Sequence, residues 1–135
     1  MTITAARLRA VRTTLEISGI ELRAKARLWR DFMPPADDDG SPLAANMIVE
    51  TVSGERVPPD VVVVAAWLAV GDEVWKPSTL RPRDPPREPR SLEVTARAGP
   101  RWPPGSRADV VLRLEDADGV RRNLRAPDQV IRRTD

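Results

Sequence analysis

The side chains best suited to chemistry in this chain are carboxylates, arginines and tryptophans, because it has no histidine, no cysteine and no tyrosine. That inventory removes the groups most used for proton transfer, nucleophilic attack and thiolate metal binding near neutral pH. Asp37-Asp38-Asp39-Gly40-Ser41 is an acidic turn of hard oxygen ligands, which makes Asp37 and Asp39 candidate ligands for a calcium-like cation. The turn lacks the later bidentate glutamate of a calcium loop, and a solvated turn accounts for it without metal. Asp116 and Asp118 allow the same two readings. Glu50, Glu55, Asp72 and Glu73 are available as paired glycosidase carboxylates, yet no spacing brings two of them into a cleft. No Gly-x-Ser-x-Gly element is present to activate a serine. The expectation is a protein with no catalytic residue, no metal and no cofactor.

Tryptophans and arginines remain as candidates for binding. Trp67 shares a strand face with Val61, Val63, Ala65 and Ala69, so it is expected in one core with Val63, Leu112 and Leu22. Trp29 is out of phase with the apolar face of its strand, Trp75 lies on a short returning strand, and Trp102 lies in a loop. These three are the candidate platforms for a sugar or a protein partner. Arg121, Arg122 and Arg125, with Arg132 and Arg133 behind them, are candidate contacts to an acidic partner. No aromatic residues interleave them, so nucleic acid is not expected. Charge along an edge strand also protects it from aggregation.

Period-two alternation positions these residues. Ile20 to Trp29 alternates apolar and charged side chains, and Ser18-Gly19 ahead of it marks a tight turn from a first short strand. Leu43 to Val52, Val61 to Val70, Glu73 to Lys76, Ser91 to Ala98 and Val110 to Glu115 read as further strands. Asp116-Ala117-Asp118-Gly119 is a hairpin turn to Val120–Leu124, with Gln129–Arg132 as a final edge segment after Pro127. Residues 77–90 hold five prolines and are expected to form an irregular surface loop. Residues 1–14 read as an N-terminal tail, poorly ordered or docked on a partner, although Leu8, Val11 and Leu15 fit one face of a helix. Residues 15–135 then form one domain. The expected class is all-β, a two-layer antiparallel sandwich of about seven strands.

The stretch Pro103-Pro104-Gly105-Ser106-Arg107-Ala108-Asp109-Val110-Val111-Leu112-Arg113-Leu114, followed by Asp116-Ala117-Asp118-Gly119, resembles the later strands of bacterial immunoglobulin-like and fibronectin-type-III-like domains. The resemblance covers about a quarter of the chain, and the chain lacks the disulfide cysteines and tyrosine corner of antibody-type domains. It implies an immunoglobulin-like architecture with adhesion or assembly roles, and it assigns no site residue.

Charge is segregated along the chain. Residues 1–30 carry seven basic and two acidic side chains, residues 31–73 one and nine, and residues 74–135 fourteen and nine. Opposite charge on separate segments steers association. The leading expectation is a non-catalytic interaction module that binds a protein partner or self-associates. A carbohydrate-binding β-domain using its tryptophans is the first alternative, and a carboxylate hydrolase is the second. No apolar run reaches the ~18 residues of a membrane span, and no signal peptide is legible. The chain is expected in the cytoplasm by default, or exported if its N-terminus is incomplete.

Overall fold

The computed structural model describes residues 3–34 and 39–135. A one-turn helix, α1 (Ala5–Arg9), precedes nine strands. These are β1 (Leu15–Ile17), β2 (Ile20–Asp31), β3 (Leu43–Thr51), β4 (Val62–Val70), β5 (Glu73–Trp75), β6 (Arg81–Pro82), β7 (Leu92–Gly99), β8 (Arg107–Glu115) and β9 (Arg121–Thr134). The all-β expectation therefore holds, and the two-layer sandwich does not. The strands form one continuous sheet in the order β5-β4-β8-β9-β2-β3-β7-β6, with β1 added to β2. The pairs are antiparallel except β2 with β9, which run parallel from Leu28–Ile131 to Asp31–Thr134.

Chain geometry forces this sheet to curl. Its two ends, β5 and β6, are joined by residues 76–80 alone. A chain that short spans at most about 20 Å. Eight strands laid flat would separate the ends by roughly 34 Å at the usual inter-strand spacing. The inner face therefore closes on itself as a half-barrel around one core. Leu22 and Leu28 of β2, Met47 of β3, Leu68 of β4, Leu112 and Leu114 of β8, and Leu124 and Ile131 of β9 are buried there.

Bulges supply the bends. Val64 is an extra residue in β4 against β8, Arg97–Ala98 oppose Ala44 of β3, and Pro127–Asp128 oppose Asp109 of β8. The last bulge lets Val120–Leu124 and Gln129–Arg132 join into one long β9 rather than two segments. Asp128 takes a positive φ of 52° there. β9 pairs with β8 on both sides of the bend, as far as Val130, and pairs in parallel with β2 from Ile131 onward. In the gap where the strands diverge, the Gln129 side-chain oxygen accepts from the Ala26 amide at 2.9 Å.

The Val64 bulge also moves Trp67. A one-residue slip exchanges the faces of a strand. Val63 packs against the main core with Leu22 and Leu112, whereas Ala65, Trp67 and Ala69 turn to the opposite face. Trp67 is buried there in a second cluster with Ala5 and Leu8 of α1 and Val111 of β8. The guanidinium of Arg113 stands 4.8 Å from its ring centre. Residues 3–11 thus lie on their own sheet. Thr4 caps α1 through the Arg7 amide, and the Arg12 carbonyl accepts from the Arg125 amide at 2.8 Å.

Residues 77–90 are irregular apart from β6. Their later half is fastened to the outer face of β2, β3 and β7. Lys25 lies 2.9 Å from Glu88, and this hydrogen bond is the main cause of its raised pKa. Glu93, with a fully buried side chain, accepts from the Arg87 amide at 3.1 Å. Leu8→Ala is expected to destabilise the protein by about 2–5 kcal/mol in urea melts and to shift tryptophan emission to the red. A value near zero would mean that α1 does not cover Trp67.

Candidate functional site

The curl leaves a seam between its two ends, and β7 presents a backbone edge to it. On that side β6 pairs with Val94 and Thr95 and then stops, so Ala96–Ala98 have no strand partner. A groove of about 390 Å³ lies along this edge, lined by Trp75, Ser78, Thr79, Arg81 and residues 95–98. The bulge at Arg97–Ala98 bends the edge outward, and Ala98 sits at φ 64°. That conformation costs a non-glycine residue about 1 kcal/mol or more, and the bulge holds Ala98 in it as the β9 bulge holds Asp128.

Trp75 closes one end of the groove. Its ring lies so near Gly99 that an added Cβ would sit 2.7 Å from it. Trp102 is buried, and its indole N–H donates to Glu73 of β5 at 2.5 Å. Arg30 holds the loop that carries Trp102. Its buried guanidinium donates to the carbonyls of Ser41 at 2.9 Å, Trp102 at 3.1 Å, Arg101 at 3.3 Å and Asp39. Burial disfavours its charge and lowers its pKa, with the nearby Arg101 adding to the effect. These contacts fix β5 against the end of β7 and set the width of the seam.

Of the residues expected to bind, only Trp75 lines this groove. Trp29 is half-buried in a separate cleft of about 520 Å³ beside Arg27, Gln129 and Arg132. Arg121, Arg122 and Arg125 are engaged internally with Glu115 at 3.1 Å, Asp116 at 2.6 Å and Asp109 at 3.0 Å. The hydrogen bond from Arg122 is the first cause of a lowered Asp116 pKa, and the Val120 and Asp118 amides add to it. This contribution is complete at neutral pH and fades as pH falls through the lowered value. Asp37 lies outside the described residues, and Asp39 meets Arg30 through its carbonyl. Among the described residues, no three acidic side chains are grouped to hold a metal ion.

Arg81, Arg97 and Ala98 escaped the sequence reading. Arg81 and Arg97 are far apart in the chain, and only the end of one strand and the bulge of another bring them together. Comparison with family models, curated proteins and solved structures found no match. Gly99→Ala tests the closed end of the seam. It is expected to cost about 1–3 kcal/mol through overpacking against Trp75 and Leu43. In a Trp75→Leu background the same change is expected to cost less, by double-mutant cycle. Equal costs would separate the two residues.

Proposed function

We propose that this chain is a non-catalytic binding module that takes up an extended segment of a protein partner as an added strand on β7. The open edge at Ala96–Ala98, beside a groove and distorted by a positive-φ alanine, carries the reading. An added strand gains its affinity from main-chain hydrogen bonds and its selectivity from pockets for alternate side chains. Trp75 and the Ser78, Thr79 and Thr95 hydroxyls supply one apolar and several polar contacts for those side chains. The sugar-platform reading draws less support. Trp102 is buried, and Trp29 and Trp75 belong to separate clefts, so no two of the candidate rings form a common exposed platform.

Self-association has its own observation. On the side away from β8, β4 is paired with β5 only from Leu68 onward, and Val62 and Val64 beside the unpaired stretch are 46% and 36% exposed. A valine-rich edge of this kind pairs with a second copy unless charge prevents it. Sedimentation velocity over a concentration series is expected to show a weak dimer that Val64→Lys abolishes. A monomer at every concentration in low salt would leave the β7 edge as the sole binding route. For that edge, amide resonances of residues 95–98 are expected to shift and gain exchange protection on titration with random octapeptide pools. Shifts confined to the Trp29 cleft would overturn the assignment.

A further inference from the structure

We infer that the segment taken up at the seam is acidic, an extended peptide with Asp or Glu at alternate positions. This inference rests on the strand-addition reading of the same groove. The eight residues lining the groove include two arginines, Arg81 and Arg97, and no carboxylate. Both arginines are exposed. Neither lies within ion-pair distance of a carboxylate among the described residues, where Arg9, Arg23, Arg27, Arg83, Arg121, Arg122, Arg125 and Arg133 all do. The neighbouring cleft, which shares Ser78, also has no carboxylate in its lining, and its Lys76 ammonium stands 5.3 Å from the Trp67 ring centre. The groove is therefore lined by two exposed, unpaired guanidinium groups with no carboxylate among its lining residues.

The placement of these charges fits a peptide better than a polyphosphate. Arg97 projects from the bulged edge itself, and Arg81 from β6 beside it, so both charges flank an exposed run of peptide backbone. Backbone N–H and C=O groups at an edge match another strand, whose side chains alternate, so acidic residues two apart fall on one side. Like charge on the edge also works against pairing with a second copy of this same edge. Acid at alternate positions satisfies the arginines and leaves the intervening side chains for Trp75 and the hydroxyls.

Three synthetic octapeptide pools test this, with alternate positions fixed as Glu, Gln or Lys and the others randomised. Binding is followed by the amide resonances of residues 95–98 in the intact chain. The Glu pool is expected to bind about tenfold more tightly than the Gln pool, the yield of two exposed ion pairs. The advantage is expected to vanish on raising salt from about 0.1 M to about 1 M, as the screening length falls from about 10 Å to about 3 Å. It is also expected to vanish in the Arg81→Ser/Arg97→Ser variant, whose exposed substitutions leave the melting curve unchanged. Equal binding of the Glu and Gln pools would overturn the acidic assignment and leave strand addition standing. Binding of no pool would overturn both. Preference for a thymidine oligonucleotide over the Glu pool, lost in the same variant, would replace the peptide with a polyphosphate.

Discussion

Residues 76–80 impose the constraint on which the rest of the structure depends. They connect the two ends of an eight-strand path with too little chain to cross a flat sheet. The sheet must roll until its ends approach. Rolling buries the inner leucines without a second layer, and it brings β5 against the end of β7. The seam and its groove are consequences of that short connection. The Arg30–Trp102–Glu73 chain of hydrogen bonds then holds the ends in register.

β9 solves the problem that rolling creates. A single strand cannot keep straight pairing with both β8 and β2 around a tight curve, so it bends at Pro127–Asp128, keeps β8 on one side and takes up β2 on the other from Ile131 onward. Proline suits the bend because its missing N–H forfeits no ladder hydrogen bond there. The gap left between β9 and β2 is filled locally by Gln129, and from outside by residues 11–12 beside Arg125. The N-terminal segment thus ties the two halves together: α1 covers Trp67 on β4, the next residues border β9, and β1 pairs with β2.

Local chemistry made much of this legible in the sequence. Ser18-Gly19 and Asp116–Gly119 announce their hairpins through turn residues, and period-two runs mark β2, β7 and β8. Features that depend on register were not legible. The Val64 bulge lies inside a uniformly apolar run, so nothing signals that Trp67 changes faces after it. Pro127 reads as a strand end because proline usually is one, and only the neighbouring strands show that β9 continues. For the site, Trp75 stood out as an aromatic residue on a short strand. The C-terminal arginines were overvalued, because Glu115, Asp116 and Asp109 neutralise them across their own hairpin. Arg81 and Arg97 carried no signal, since topology rather than spacing unites them.

Amide hydrogen exchange, read residue by residue in the free chain, tests the central claim of one rolled sheet with an open β7 edge. One rolled sheet predicts strong protection for the Arg132 and Thr134 amides, which face β2 in the parallel pairing, and near-unprotected exchange for seam-facing amides within Ala96–Ala98. Fast exchange at Arg132 and Thr134 together with protection throughout Ala96–Ala98 would contradict it. That pattern would mean that the sheet divides between β9 and β2 and that the β7 edge is already paired.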